Sequence, residues 1–308
     1  MTVTRRRFMT ILAGCAASAA TVRPARAEAV TWRGRAHGAE AEITLFGANE
    51  AQAKQALLAA RDTTLRTENL LSLYLPASAL NRPNASGRLN MPPEFARLIG
   101  IVDAVHEASA GLFDPTVQPM MVALARAKQA LSPADRQALG ERIGWNKVHR
   151  VRSEMSFSVP GMAMTLNGIA QGFATDRVSD VLNAHGLDPY LVHVGEYRAG
   201  SRPAQIGIGN ADGSVLDTVE LRRSSVATSA PGGTRFANGS GHIVLPGLGG
   251  SEARWRSVTV QAETAVHADG LSTALALTSS TDLADKAIAN GTAKRVWFED
   301  RDGRLIRV

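Results

Sequence analysis

Apolar and polar positions alternate through Val30–Arg35 and again through Ala41–Phe46, which predicts two strands folded back around His37-Gly38. The period then changes. From about Asn49 to Leu70, Ala53, Ala56, Leu57 and Ala60 recur on one helical face, with Asn49 placed as the N-cap. Pro, Asn, Ser and Gly crowd the stretch from Ser72 to Asn90, so it reads as a loop. A second helix is predicted over Pro92–Ser109, closed by Gly111, and Phe113–Thr116 reads as a turn. Helical pieces then continue to about Ile143, one of them capped by Ser132 with a proline at its first position.

From Trp145 onward strands dominate. Lys147–Arg152 and Met155–Val159 pair, and a turn at Gly168 opens a helix that runs to about His185. Short strands follow at Tyr190–Val194, Ala204–Gly209, Val215–Glu220, Val226–Ser229, His242–Leu245 and Trp255–Gln261. Helices over Val266–Leu277 and Asp282–Asn290 precede a closing hairpin within Lys294–Arg307. The fold class is therefore mixed α+β. Its first lobe, about 28–145, is mainly helical, and its second, 146–308, is mainly sheet. No linker separates them, so the two lobes form one unit.

The first 27 residues stand apart. Arg5-Arg-Arg7, a short apolar run and the small-x-small site Ala25-Arg-Ala27 predict a twin-arginine export signal cleaved after Ala27, and hence a periplasmic protein. The apolar run is too short for a membrane span and is broken by Arg23 and Pro24. Leu12-Ala-Gly-Cys15 also fits a lipoprotein acylation box, but the apolar core before Cys15 is too short to favour it. The leader carries five arginines and no acid, so losing it lowers the formal charge from +6 to +1. A nearly neutral surface without clustered cations is a poor match for a phosphate backbone, which argues against nucleic-acid binding. Cys15 is the only cysteine, so the trimmed chain has no disulfide, thiol or cysteine-metal chemistry. With aromatics at 5%, its core rests on aliphatic packing.

Two segments carry candidate chemistry. Asp269 and Thr273 lie four apart, which puts a carboxylate and a hydroxyl on one helix face. Such oxygens suit magnesium, which prefers hard donors and commonly bridges substrate phosphates. Asn167-Gly-Ile-Ala-Gln-Gly172 is a glycine-rich entry to a helix, where a backbone can approach a phosphate. Taken alone, each has a simpler explanation. An acid in a first helical turn complements the dipole, a helical threonine bonds back to a carbonyl, and a glycine turn serves packing. Rossmann, Walker, H-E-x-x-H and G-x-S-x-G patterns do not occur in the sequence.

Order and number decide the matter. Ser72-Leu-Tyr74, Gly111-Leu-Phe-Asp-Pro-Thr116, Leu166–Asp176, Gly195-Glu-Tyr-Arg198, Ala227-Thr-Ser229, Gly241-His-Ile243 and Ala268–Thr273 follow one another as in the ApbE family, the FAD:protein FMN transferases, which this chain resembles over nearly its whole length. The leader and Leu-Asn-Gly-Ile-Ala-Gln-Gly resemble the NosX branch, which serves nitrous oxide respiration.

The resemblance implies an ApbE-like flavin transferase fold and magnesium-dependent transfer of FMN from FAD to a Thr or Ser hydroxyl of a periplasmic acceptor, with AMP leaving. The NosX-like branch implies a NosR-type acceptor. By the same resemblance, Tyr74 would stack on the flavin or adenine, Asp114 and Thr116 would contact the nucleotide, and Thr165 and Gln171 would flank it. Gly168, through its carbonyl, would join Asp269 and Thr273 around Mg2+. Glu196 and Ser229 would line the pocket, and His242 would sit beside the reacting phosphate, with His242 or Asp269 steering the acceptor proton. The sequence departs from the family where Thr165 replaces aspartate, Gln171 replaces lysine or glutamate, and His242-Ile-Val-Leu-Pro246 lacks an acid. Two alternative readings are an FAD pyrophosphatase giving FMN and AMP, and a non-catalytic flavin-binding assembly factor.

Overall fold

The computed structural model describes residues 29–209, 214–247 and 253–308; the leader and Cys15 lie outside them. Strands β1 (Ala29–Ala36) and β2 (Ala39–Phe46) form the opening hairpin. His37 and Gly38 sit at φ +47° and +82°, the left-handed pair that a two-residue turn needs to match strand twist. Helix α1 (Glu50–Leu71) starts as expected, with Asn49 Oδ1 accepting from the Gln52 amide at 2.9 Å. The stretch expected to be loop contains a short helix, α2 (Asn81–Ser86), and a strand, β3 (Arg88–Asn90). Asn81 Nδ2 donates to the carbonyls of Ser72, Leu73 and Leu75, and Leu80 and Leu89 are buried, so turn-forming residues there enclose packed structure.

Helices α3 (Pro93–Ala108), α4 (Gln118–Arg126) and α5 (Pro133–Gly140) follow, and then the hairpin of β4 (Val148–Val151) and β5 (Glu154–Phe157). Next come α6 (Ala170–Ala184), β6 (Tyr190–Val194), β7 (Tyr197–Ala199), β8 (Ala204–Gly209), β9 (Val215–Leu221) and β10 (Ser224–Ser229). The chain ends with β11 (Trp255–Ala262), α7 (Ala265–Leu275), α8 (Asp282–Ala289), β12 (Arg295–Asp300) and β13 (Leu305–Arg307). Strand β7 was missed because three residues cannot show an alternation. His242–Leu245 is not a strand: only Arg235 and Gly241 make an isolated bridge there. Glycines 232, 233, 239 and 241, with Pro231 and Pro246, deny that segment a continuous ladder.

An antiparallel eight-stranded sheet, ordered β1-β2-β6-β7-β10-β11-β12-β13, organises the molecule. The opening hairpin belongs to it, since β2 pairs with β6, so the lobe boundary expected near residue 145 does not divide the sheet. On one face, Ala53, Ala56 and Ala60 of α1 and Ala174, Val178 and Leu182 of α6 pack over Ile43, Leu45, Val192 and Val194. Small alanines let the helices approach closely. Farther along the same sheet, α3 and α7 bury Phe95, Leu98, Val102, Leu271 and Leu275 with Val258, Val260 and Phe298. The β8–β9 hairpin closes the other face through Ile206, Ile208, Val219 and Leu221. With both faces covered, β11 is buried nearly throughout instead of alternating. Among the described residues, no helix is long and apolar enough to cross a membrane.

Candidate active site

The candidate site forms where the turn before α6 meets α7. Gly168 holds that turn, and Thr273 donates its hydroxyl hydrogen to the Gly168 carbonyl at 3.3 Å. The approach requires glycine: a Cβ there would fall 2.9 Å from Thr273 Oγ1 and Cγ2. One turn earlier on α7, Asp269 accepts the Gly172 amide hydrogen at 2.9 Å. Thus the three residues expected around a metal come together, although 105 residues separate Gly168 from Thr273.

Ser229, at the end of β10, joins them through contacts with Ser272 Oγ at 2.8 Å and Thr273 Oγ1 at 3.2 Å. Ser272 donates to the Asp269 carbonyl, so its oxygen is left to accept from Ser229. Ser272 is buried and was given no role from sequence, because serine in a helix carries no distinctive signal.

Electrostatically the site is short of positive charge. Asp269 is 5% exposed, and burial pushes its pKa up to about 7; the Gly172 hydrogen bond opposes this and the charge of Asp176 adds to it. Glu196, on the turn between β6 and β7, is held well above the usual carboxylate range by burial and by Asp269, against a hydrogen bond from the Thr228 backbone. The Asp269 carboxylate, a carbonyl and a hydroxyl present an all-oxygen donor set that fits Mg2+, and the neighbouring Glu196 adds to the site's demand for a cation. Groups of three or more His, Cys, Asp or Glu suited to a metal do not occur among the described residues. The metal would therefore depend on this mixed set, completed by water and substrate oxygens.

Gln171 packs against Gly195, is 9% exposed, and its Nε2 has no hydrogen-bond partner among the described residues. A buried donor without an acceptor suits a ligand carbonyl or phosphate oxygen. Thr165 accepts the Asn167 amide at 3.2 Å and donates its own amide to Pro115 O at 2.8 Å. His242 lies on the loop after Ser229. Its Nδ1 donates to Thr234 O at 3.2 Å, which leaves the Nε2 lone pair to accept a proton. Burial lowers its pKa, so the ring is neutral at pH 7, while the Thr234 contact works in the other direction.

Not every expected residue joins this cluster. Tyr74 stands on the loop after α1 with 42% of its surface exposed. Asp114 and Thr116 are buried, and their side chains are engaged with each other and with the backbone at Gly144 and Trp145.

A second missed group supports the site from below. Asp176, on the same face of α6 as Gly172, accepts from the Ala265 and Val266 amides at 2.9 Å each, capping α7 from a neighbouring helix. Arg198 binds Asp176 at 2.9 Å and donates to the Glu263 carbonyl at 2.8 Å. The available signal was the i, i+4 spacing of Gly172 and Asp176, which places an acid on a helix face that must meet another helix.

This arrangement can be set beside known proteins. A protein named FAD:protein FMN transferase from Haemophilus influenzae is 27% identical over 236 residues, 67% of each chain. One of the same name from Klebsiella pneumoniae is 25% identical and covers 86% of this chain and 83% of its own. The solved structure of the flavin transferase ApbE from Vibrio cholerae is similar with a TM-score of 0.81 at 23% identity, over 92% of this chain and 97% of that one. The ApbE protein of Thermotoga maritima gives a TM-score of 0.82, also at 23% identity, over 91% and 97%. At such identities the structures establish the fold. The ApbE family model itself matches residues 37–293, from the turn of the first hairpin to the turn between α8 and β12, and takes in every residue of the cluster: this chain belongs to the ApbE family.

Proposed function

We propose that the chain is an FAD:protein FMN transferase that, with magnesium, moves FMN from FAD to a Thr or Ser hydroxyl of an acceptor protein and releases AMP. The observation that carries this reading is the convergence of the Gly168 carbonyl, the Thr273 hydroxyl and the buried Asp269 carboxylate at the mouth of α6. Family membership and the names of the relatives support it.

Asp269, Thr273 and the Gly168 carbonyl would hold the magnesium ion, whose chemistry when bound is to neutralise charge on the diphosphate oxygens. The chain's own residues supply the rest. Gln171 Nε2 donates to the bound dinucleotide, and Ser229 and Glu196 line the pocket. His242 accepts the acceptor's hydroxyl proton at Nε2. The freed oxygen bonds to the FMN phosphorus, the bond from that phosphorus to the bridging oxygen breaks, and AMP departs with that oxygen.

The leader's paired arginines and Ala25-Arg-Ala27 site support export by the twin-arginine route to the periplasm, with acylation at Cys15 the less favoured fate. The Leu166–Gly172 motif and that leader support a NosX-like role, in which the acceptor is the periplasmic flavin domain of a NosR-type protein in nitrous oxide respiration.

The test incubates the protein with FAD, Mg2+ and candidate acceptor domains and follows acceptor mass and nucleotide products. Transfer gives an FMN adduct and AMP, and stops on chelation. Asp269→Ala removes transfer while keeping the fold, and His242→Gln slows it by about 100-fold or more. Free FMN and AMP without adduct would instead mean hydrolysis. FAD binding with no AMP would leave a flavin-holding assembly factor.

A further inference from the structure

We infer that Ser229 is a positioning residue for the metal site: it takes up the Thr273 hydroxyl hydrogen and so turns the Thr273 oxygen toward a cation. Ser272 fixes the direction in which Ser229 can do this. The inference rests on the proposed magnesium site and deepens it.

One hydrogen per hydroxyl fixes the directions. Ser272 is wholly buried and spends its hydrogen on the Asp269 carbonyl at 2.9 Å. Its contact with Ser229 at 2.8 Å must therefore use the Ser229 hydrogen. Having given that hydrogen away, Ser229 can meet Thr273 Oγ1 at 3.2 Å only as an acceptor. The Asp269 carbonyl is also the one to which a helical threonine four residues on would ordinarily bond back, and Ser272 takes that place. Thr273 is turned across to the loop before α6 instead. There a Cβ on Gly168 would meet both its hydroxyl and its methyl at 2.9 Å, so packing holds the side chain and leaves the hydrogen free to turn.

That hydrogen has two acceptors within reach, the Gly168 carbonyl at 3.3 Å and Ser229 Oγ at 3.2 Å. Without a cation either serves. When the Gly168 and Thr273 oxygens share a cation, the carbonyl lone pair is taken and a hydrogen between the two oxygens is repelled. Adjacent ligands around an octahedral Mg2+ lie about 3 Å apart, close to the spacing of this pair. The hydrogen then belongs to Ser229. A one-way chain results, from Thr273 to Ser229 to Ser272 to the Asp269 carbonyl, in which each bond polarises the next. It ends on the backbone of the residue whose carboxylate is another proposed ligand, so the chain ties two ligands together. Removing a partner behind a metal ligand commonly lowers metal affinity by about 10–100-fold.

The test titrates Mg2+ calorimetrically into the FAD-saturated full-length protein, saturation being set from FAD affinities measured without metal by flavin fluorescence. Ser229→Ala should weaken Mg2+ binding about tenfold, and Ser229→Thr, which keeps the acceptor, should stay within about threefold of wild type. Ser272→Ala should cost about threefold. In the double variant Ser229→Ala/Ser272→Ala the loss should equal that of Ser229→Ala alone, because Ser272 acts through Ser229. Unchanged Mg2+ affinity in Ser229→Ala overturns the inference, whatever happens to FAD affinity, and so do additive losses in the double variant. Ser229→Cys separates positioning from direct ligation. Its ratio of Cd2+ to Mg2+ affinity should match wild type, and a ratio shifted toward Cd2+ would put residue 229 on the metal and overturn the inference. Should Ser229→Ala fail to fold, Ser272→Ala and Ser229→Cys decide. A wild-type protein that binds FAD and Mg2+ but forms no adduct would defeat the proposed transfer and leave this inference standing on the binding data. One that binds no Mg2+ would defeat both.

Discussion

The Gly172 amide donates to Asp269 Oδ2 at 2.9 Å, and a Cβ on the same glycine would lie 2.3 Å from the Ala265 carbonyl oxygen. One residue thus serves both the packing of α6 on α7 and the orientation of the site carboxylate. Gly172→Ala has to push the helices apart, because the obstructing atom is backbone. Overpacking of this kind costs about 1–3 kcal/mol, and the displaced Asp269 should lower transfer beyond any loss of folded protein. Urea unfolding together with transfer rates normalised to folded protein measures both. Wild-type stability and rate in the alanine variant would refute the close contact.

Asp176 and Arg198 allow a cleaner separation of charge from packing. Asp176→Ala removes the acceptor for two amides at the start of α7 and leaves Arg198 with only carbonyl and hydroxyl partners in a mostly buried place. Losing one member of a buried pair costs about 3–5 kcal/mol, whereas replacing both by apolar groups is often far milder. Asp176→Ala should therefore unfold at distinctly lower denaturant than the double variant Asp176→Ala/Arg198→Met. If the two effects simply add, the ion pair is not coupled as described.

These contacts mark where the sequence is readable. The turn at His37-Gly38, the start of α1 at Asn49 and the Asp269–Thr273 pair are local signals, each decided by residues a few positions apart. The partners of Asp176 lie 89 and 90 positions away, and no periodicity within α6 announces them. Strand-like alternation around His242 and Val244 misled for a related reason. Val244 is buried with Met120 and Leu124 of α4, so a loop packed on a helix mimics a half-buried strand. For Asp114 and Thr116 the motif is visible in the sequence, but their bonds to the Trp145 and Gly144 amides span 31 and 28 positions and exist only in three dimensions.

The tip of the first hairpin carries a pH response of its own. Thr67 Oγ1 donates to the Thr64 carbonyl at 2.8 Å, so its oxygen must accept from His37 Nε2 at 3.0 Å, which places the hydrogen on Nε2. Burial lowers the His37 pKa from 6.5 to about 4. Between those values the unfolded chain binds a proton that the folded protein does not, so stability falls as pH drops from about 6.5 and levels off below about 4. The ring keeps some solvent contact, so the full contribution across that window is at most about 3 kcal/mol. His37→Asn keeps an amide donor for Thr67 and tolerates the left-handed backbone at φ +47°. Denaturation of both proteins from pH 7 to pH 4 should show wild type losing stability relative to the variant. Parallel curves would mean that His37 is as protonated in the folded protein as in the unfolded chain.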